Sequence, residues 1–446
     1  MSEATTTMDV DAGTRAKRAA TGGEERTVVA SRVAAICDMI EHHREAGKPL
    51  TSSQVATISS MIDDVAGTKA PPPRTGRRSS KKKRCMISVG SYEDEGVVGE
   101  GRFGVVFRAR HRGTGQDAAV KSYRSDYDDS IKDDGTRMLL REACFMAACG
   151  AHPSVVGFHA VACNPWSSNN GGYSLVMEYV GPSNLGQVLD DREGRPLPEA
   201  EARRMMRQLL DGAAAMHQHG IVHRDIKPGN ILVVADNNVK IGDLGLAKSM
   251  HEKAAPFFMA GTRGYMAPEM LLWTEDHDAA VDAWSLGCVM AELVTGKMLP
   301  FEGKDEMDQL YKIFDVVGVP GKRAWRAMKP HEDLDDDVQQ WRARQRRLGH
   351  RNRLREMVPE EVLSRDGFEV LKGLLTTDPK KRLTAADALR CPWFANNSND
   401  DVVDTPVADT AAPDSKVNKS WSLVWQIAMS FVGRALELVS PKGLLK

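Results

Sequence analysis

The sequence predicts an α+β fold with two lobes, a small lobe rich in β-strands and a larger lobe that is mostly helical. Short runs of β-branched and other apolar residues fill residues 96–123 and recur at residues 155–163 and 173–180. One helical segment, around residues 137–149, separates the first strands from the later ones, and the pattern beyond them is mostly helical. At 446 residues the chain is too long for one compact core, which suits a two-lobed domain with extensions.

The composition is that of an ordinary globular protein, with 41% hydrophobic and 27% charged residues. A formal net charge of -1 argues against a general electrostatic attraction of the whole protein to nucleic acid or to a membrane surface. We therefore expect neither as a general partner. The seven cysteines are scattered and odd in number, which favours free thiols in a reducing compartment over a disulfide framework. The N-terminus lacks the apolar core of a signal peptide. We therefore expect the protein in the nucleus, the cytoplasm or both.

The N-terminal region is predicted to contain a helical hairpin. Residues 1–26 are polar and small, and we expect them to be disordered. Residues 27–67 carry apolar side chains at helical spacing in two stretches separated by a Gly-Lys-Pro turn. Thr51 and Gln54 match the capping box that begins a helix. Two interpretations stay open: the hairpin docks against the rest of the protein, or it binds a partner.

Polar and charged segments flank the central part of the chain. Residues 68–91 are predicted to be a linker, and its basic run at 74–84 repels itself because it contains no acidic residue. This run is either a nuclear-import signal or nucleic-acid patch, or a charged spacer. Residues 395–446 form a polar tail that ends in a predicted amphipathic helix at 420–439. Charged residues inside that helix argue against a membrane span, so docking on the large lobe or the N-terminal hairpin is the favoured interpretation. Binding at a membrane surface is the minority interpretation, because the polar face has little Lys or Arg.

A glycine-rich string lies among the first predicted strands. Residues 99–104 have the pattern G-x-G-x-x-G, which alone could also begin a dinucleotide-binding helix. Here β-type runs flank it and no helix follows, so we predict a hairpin whose backbone N–H groups close over a triphosphate. Lys121 follows on a strand, where a dinucleotide-binding fold would need an acidic residue. Glu142, on the predicted helix, is the candidate carboxylate for an ion pair with Lys121.

The most informative stretch is residues 223–230, with the sequence His-Arg-Asp-Ile-Lys-Pro-Gly-Asn. Asn230 and Asp243, the latter in an Asp-Leu-Gly triplet, are candidate Mg²⁺ ligands at the ends of a short strand pair. Asp225 is placed to accept the proton of a substrate hydroxyl, and Lys227 is a cation two residues away. Metal ligands, charge neutralisation and an oriented nucleophile are the parts that phosphoryl transfer requires.

These motifs together resemble the conserved motifs of a eukaryotic-type protein kinase. Residues 181–185, 307–320 and 391–394 further resemble the cyclin-dependent-kinase-like (CMGC) branch, and the pattern is similar to plant F-type cyclin-dependent kinases. The resemblance implies a Ser/Thr protein kinase that uses ATP and Mg²⁺ and acts on protein substrates. A cyclin or another activating protein is the candidate partner, and the RNA-polymerase tail or other kinases are candidate substrates.

The resemblance also implies the domain bounds and further roles for individual residues. It implies a bilobal protein-kinase fold over residues 92–394, with the N-lobe at 92–180 and the C-lobe at 181–394. Thr262 is implied to hydrogen-bond Asp225 and Lys227, Asp282 to hold the catalytic loop, and Glu269 to pair with Arg382. The implied ATP-binding residues are Val98, Gly99, Glu100, Gly101, Arg102, Phe103, Gly104, Val106, Ala119, Lys121, Met177 as gatekeeper, Glu178, Val180 and Leu232.

Four departures from the family pattern concern regulation and specificity. Arg102 and Phe103 replace the Thr-Tyr pair that is an inhibitory phosphosite in cell-cycle members. Residues 137–142 lack the cyclin-contact signature, and Phe257 occupies the position of the activating phosphothreonine. Met266 replaces an arginine that helps to reject substrates without a proline after the target residue. The alternative to an active kinase is a kinase-fold scaffold that only binds partners.

Overall fold

A computed structural model describes residues 26–42, 50–67, 87–101, 104–123, 134–150, 152–164, 172–234, 237–252, 260–274, 277–328, 340–341, 343 and 351–395. Of residues 1–26, predicted to be disordered, residues 1–25 lie outside the described residues, and Arg26 is instead the first described residue of a helix. The basic run at 74–84 and the predicted C-terminal helix also lie outside the described residues. Arg102, Phe103 and Phe257 also lie outside them.

The small lobe is built on a six-stranded sheet. Its spatial order is β1-β5-β6-β4-β3-β2, in which β1 pairs with β5 in parallel and the other neighbours are antiparallel. The strands are β1 Ile87–Ser88, β2 Tyr92–Gly101, β3 Gly104–His111, β4 Asp117–Tyr123, β5 Phe158–Asn164 and β6 Gly172–Glu178. The sheet confirms the β-rich half of the predicted α+β fold.

Residues 87–91, which the sequence analysis assigned to the linker, are folded instead. Ile87 and Ser88 pair with Ala162 and Cys163 of β5, and a 3-10 turn at Val89–Ser91 leads into β2. Sequence reasoning missed this strand because a two-residue strand is too short to show a period, and a basic run precedes it.

The N-terminal helices lie at 26–42 (α1) and Ser52–Val65 (α2). The predicted capping box is present, since Thr51 accepts from the backbone N–H of Gln54 and the Gln54 side chain accepts from the backbone of Thr51. Each helix buries one apolar face in the main core; the wholly buried side chains are Val33, Ile36, Cys37, Val55, Ile58 and Ile62, with Ile40 almost wholly buried.

Helix α3, Asp134–Cys149, lies between the sheet and the N-terminal helices. Every residue from 139 to 149 is buried, on all sides of the helix. A helix that is apolar around most of its circumference must be covered by protein on every side, so α3 is an internal helix of this fold.

The large lobe is helical around the core helix α7, apart from short strand pairs near the interlobe connection. Its strands are β7 Ile221–Val222, β8 Ile231–Val233, β9 Val239–Ile241 and β10 Lys248–Ser249, paired β7 with β10 and β8 with β9. The helices are α4 Leu185–Asp191, α5 Glu199–Gln218, α6 Pro268–Leu271, α7 Ala280–Thr295, α8 Glu306–Val317, α9 Lys322–Ala327, α10 Leu354–Met357, α11 Arg365–Leu374, α12 Ala385–Ala388 and α13 Pro392–Ala395.

A buried ion pair anchors the core of the large lobe. Arg382 donates to both oxygens of Glu269 at 2.6 and 2.9 Å, and its guanidinium lies over the ring of Trp284. Trp284 on α7 stacks on Phe301 with ring centroids 5.8 Å apart. Among the described residues no helix is both long and apolar enough to cross a bilayer.

Candidate active site

The loop between β7 and β8, residues 223–230, is held by one buried carboxylate of α7. Asp282 accepts the backbone N–H groups of His223 and Arg224, each at 2.8 Å, and its Oδ2 lies 2.8 Å from Nε2 of His217. Burial favours the neutral acid, but the bond to His217 and the loop N–H groups outweigh it and lower the pKa of Asp282. Arg224 has φ +67°, an unfavourable conformation for a side-chain-bearing residue, and Asp282 helps to fix it there.

Asp225 stands at the centre of a hydrogen-bonded cluster. Its Oδ1 accepts from the hydroxyl of Thr262 at 2.7 Å, and its Oδ2 accepts from the Asn230 amide at 3.0 Å. Lys227 Nζ lies 3.0 Å from Oδ2 of Asp225 and donates to the Thr262 hydroxyl at 2.6 Å. The structure therefore brings together the four residues that the sequence grouped around the loop. A carboxylate held on both oxygens has a defined direction in which to accept a further hydroxyl proton.

Lys121 of β4 is the centre of a second cluster. Its Nζ lies 2.9 Å from Oε2 of Glu142 on α3 and 2.7 Å from Oδ1 of Asp243. Burial opposes the charged amine, yet Asp243 and Glu142 outweigh it and raise the pKa of Lys121 well above its usual value. Burial would raise the pKa of Asp243, but the positive charge and the hydrogen bond of Lys121 outweigh burial, so the pKa of Asp243 is lowered.

Gly245 packs closely against this cluster. A Cβ at this position would lie 3.3 Å from Oδ1 of Asp243 and 3.5 Å from Oε2 of Glu142. Any larger residue would crowd the carboxylates that meet Lys121. The sequence predicted the pair with Glu142, but it did not predict the direct contact between Lys121 and Asp243.

Tyr123 belongs to this second cluster and was missed by the sequence analysis. Its hydroxyl donates to Oε2 of Glu142, and its ring centroid lies 5.1 Å from Nζ of Lys121. Burial, and then the negative charge of Glu142, raises the pKa of Tyr123. The sequence did contain a signal for Tyr123. Side chains two residues apart on a strand lie on the same face of the sheet, so Tyr123 is expected on the same face as Lys121.

Asn230 and Asp243 fit a Mg²⁺ site by the chemistry of their donor atoms. The β8–β9 hairpin brings them together, since the N–H of Gly242 donates to the carbonyl of Asn230 at 2.9 Å. The amide nitrogen of Asn230 donates to Asp225, which turns its amide oxygen the other way. Lys121 contacts Oδ1 of Asp243, and the side chain of Asp243 is 43% exposed.

The number of ligands also suits Mg²⁺. The described residues contain no cluster of three or more His, Cys, Asp or Glu side chains that could hold a metal ion. Mg²⁺ is usually bound by one or two protein oxygens together with waters and phosphates, so one carboxylate and one amide oxygen are a fitting set.

The glycines of the β2–β3 hairpin divide into two kinds. A Cβ at Gly104 would lie 2.2 Å from the carbonyl oxygen of Ser122, so the packing of β3 on β4 requires glycine there. A Cβ at Gly101 would meet nothing within 4 Å, and at Gly99 only Cβ of Val106 at 3.9 Å. The packing of the described residues therefore gives no reason for glycine at 99 and 101. A ligand that approaches the backbone closely would give one. Glu100, between them, is exposed.

The candidate adenine-binding residues line the sheet and the connection between the lobes. Ala119 is buried and Val98 is 41% exposed, while the partly buried members are Val106, Met177, Val180 and Leu232. The N–H of Glu178 donates to the carbonyl of Gly157 at 2.8 Å, so only its carbonyl could meet an adenine edge. Its carboxylate binds Lys240 of β9 at 2.7 and 2.8 Å, a link between the lobes that the sequence analysis did not foresee.

A buried ion pair ties α3 to the segment after the Asp-Leu-Gly turn. Both oxygens of Glu252 bind the guanidinium of Arg141, with Nη2 and Oε2 2.9 Å apart, and Oε2 also accepts the N–H of Ser249. Burial would lower the pKa of Arg141, but the bonds to Glu252 raise it above its usual value. Burial and the nearby charge of Arg141 lower the pKa of Arg224 to about 10. The sequence analysis had no pattern from which to predict Glu252.

Met266 is buried, and its side chain lies against Gly261, which has φ +120°. At the position where the family pattern has an arginine, the chain thus makes an apolar contact with the turn at Gly261.

A strand lysine paired with a helix glutamate, a glycine hairpin, and a loop carboxylate beside an Asp-Leu-Gly turn define a protein kinase. The protein kinase domain family matches residues 92–394, and the chain belongs to this family. It is 44% identical over 309 residues to cyclin-dependent kinase F-2 of Oryza sativa subsp. japonica, covering 68% of this chain and 89% of the relative. It is 35% identical over 326 residues to cell division control protein 2 homolog 3 of Trypanosoma brucei brucei, covering 72% and 97%.

A third relative is cyclin-dependent kinase G1 of Arabidopsis thaliana, 35% identical over 317 residues, or 69% of this chain and 49% of the relative. These matches confirm the resemblance, the bilobal kinase fold and the enzyme class. The chain is a serine/threonine protein kinase of the cyclin-dependent-kinase-like branch. Membership of this family implies the use of ATP with a divalent metal ion.

Proposed function

We propose that this chain transfers the γ-phosphoryl group of ATP to Ser or Thr hydroxyls of proteins through the two clusters around Asp225 and Lys121. The observation that carries the proposal is their geometry. Every polar side chain in them has a partner within 3.1 Å. The two clusters meet at the same end of the β8–β9 hairpin, where Ile231 pairs with Ile241 and Asn230 lies beside the segment that leads to Asp243. Such an arrangement is preorganised, so little reorganisation is needed when the reactants bind.

Each residue of the clusters has a role that follows from its contacts. Asp225 orients the acceptor hydroxyl and accepts its proton. Lys227, bonded to Thr262, holds a positive charge beside that carboxylate and stabilises the charge on the transferred group. Thr262 fixes the direction in which Asp225 faces. Lys121, held by Glu142, supplies the cation for the α and β phosphates.

Asn230 and Asp243 are the residues that would hold Mg²⁺. When bound, the ion supplies neutralisation of phosphate charge. Gly99 and Gly101 leave the backbone of the hairpin open to close approach by the phosphates. The carbonyl of Glu178 and the backbone of Val180 would meet the adenine edge, between apolar side chains of the two lobes.

The test uses the purified full chain with radiolabelled ATP, Mg²⁺ and generic protein substrates. Asp225→Asn keeps the shape of the side chain but removes the base, and we expect transfer to fall about 100-fold or more. Asp211→Asn, at a half-exposed carboxylate on α5, is the matched control and should transfer like the wild type. A thermal midpoint that rises with Mg·ATP in both variants shows that the nucleotide still binds. Equal labelling by Asp225→Asn and the wild type would refute the proposal. The absence of any midpoint rise at millimolar ATP would favour the scaffold alternative.

A further inference from the structure

Helix α3 carries Glu142, and its surroundings decide whether Glu142 can reach Lys121. One side of α3 packs on β4, β5, β6 and the 3-10 turn Leu244–Leu246. Helix α2 packs along another side, and both helices share one continuous apolar core. Because residues 139–149 are buried around the whole helix, the N-terminal helices supply part of the cover that α3 needs.

Helix α1 connects α3 to the large lobe. Cys37 of α1 lies against the thiol of Cys144 on α3, and Glu41 is near enough to act on the charge of Arg141. At the other end of α1, Ala30 lies beside Gly220, the residue immediately before β7. Helix α1 thus spans from the glutamate-bearing helix to the strand that leads into the catalytic loop.

The apolar faces of these two helices are used inside the protein. Their buried residues belong to the main core, and Val28 is the one strongly exposed large hydrophobic residue within described residues 26–42 and 50–67. A module that binds a partner through an apolar face would leave that face open to solvent. The burial therefore favours docking over partner binding for the hairpin.

We propose that the N-terminal helices α1 and α2, within described residues 26–42 and 50–67, are an in-chain activating element that holds α3 so that Glu142 pairs with Lys121. The position of α3 then does not depend on a separate activating protein. This inference rests on the proposed function, because it assigns the hairpin a positioning role for the same phosphoryl transfer. Two adjacent residues of α2 allow a matched test, since Ile58 is wholly buried and Thr57 is exposed.

The experiment measures kcat/KM of the full chain without any added protein. Ile58→Ala removes core contacts beside α3 and should lower kcat/KM roughly tenfold, because small displacements of positioning elements have large effects on rate. Thr57→Ala should stay within about twofold of the wild type, since it removes only an exposed hydroxyl. Hydrogen exchange of the α3 amides should become faster in Ile58→Ala and not in Thr57→Ala.

A double-variant cycle separates positioning from general destabilisation. If the hairpin acts through Glu142, Ile58→Ala should have little effect on kcat/KM when Glu142 is already replaced by Gln. An equal fold-loss in both backgrounds would overturn the positioning role and leave the hairpin a purely structural part. Thermal unfolding must show each variant folded at the assay temperature, and Ile58→Val replaces Ile58→Ala if the latter is not.

Two further outcomes are distinguishable from each other. A wild-type chain that transfers phosphate only after another protein is added would overturn the inference alone. A wild-type chain that transfers no phosphate under any condition would refute the proposed function itself.

Discussion

The ion pair between Arg141 and Glu252 offers a sharp test of how α3 is anchored. Both side chains are 7% exposed, and the guanidinium binds both carboxylate oxygens. Glu252→Gln keeps the size of the side chain but leaves Arg141 buried without its hydrogen-bonded counter-charge and close to Arg224. Removal of one partner of a buried pair costs about 3–5 kcal/mol in the free energy of unfolding. For a domain of this size such a loss lowers the thermal midpoint by roughly 5–10 °C.

The assay is thermal unfolding followed by circular dichroism at one fixed scan rate. The matched control is the double variant Arg141→Met with Glu252→Leu, which removes both charges and fills the space with apolar side chains. We expect the double variant to unfold near the wild-type midpoint, because the buried pair must offset its own desolvation and adds little net stability. The reasoning is refuted if Glu252→Gln unfolds at the wild-type midpoint, or if single and double variants lose the same stability.

The remaining predictions concern pH and substrate choice. Burial, together with the charges of Arg26 and His152, lowers the pKa of His219 below its ordinary value of 6.5. The unfolded state then binds the proton more readily, so the free energy of unfolding should fall as the pH drops from 6.5 through the lower pKa of the folded state. Denaturant titrations across this range should show a shallower fall in His219→Gln, and an identical slope would contradict the assignment. For substrate choice, a peptide array should show similar phosphorylation with and without proline after the target residue, because Met266 is apolar. Met266→Arg should shift the preference towards proline, whereas a strict proline requirement in the wild type would contradict this prediction.

The parts of the site that the sequence predicted are those fixed by local chain geometry. Asp225, Lys227 and Asn230 lie within one loop, and Asp243 follows a short hairpin, so their spacing along the chain already limits their distances. Lys121 and Glu142 were predictable because one lies on a strand and the other on a helix in a known order. In the structure Lys121 bonds to Glu142, and Asn230 bonds to Asp225, as the sequence analysis expected of residues in these two groups.

Two of the contacts that sequence reasoning missed join single residues that are far apart in the chain and belong to no motif. Glu252 is 111 residues from Arg141, and Lys240 is 62 residues from Glu178. A lone acid or base on a helix or strand shows no period and no spacing rule, and most such residues face solvent. Only the packing of complete elements against one another determines which of them are buried together.

The pairing of Arg141 with Glu252 also bears on whether the anchor of α3 can be switched on and off by phosphorylation. From Met250 to Gly261 the sequence contains no Ser, Thr or Tyr, so no hydroxyl there can receive a phosphate. The negative charge that anchors α3 is instead encoded in the gene, and no phosphatase can remove a carboxylate. This anchor is present from the moment the chain folds until the chain is degraded.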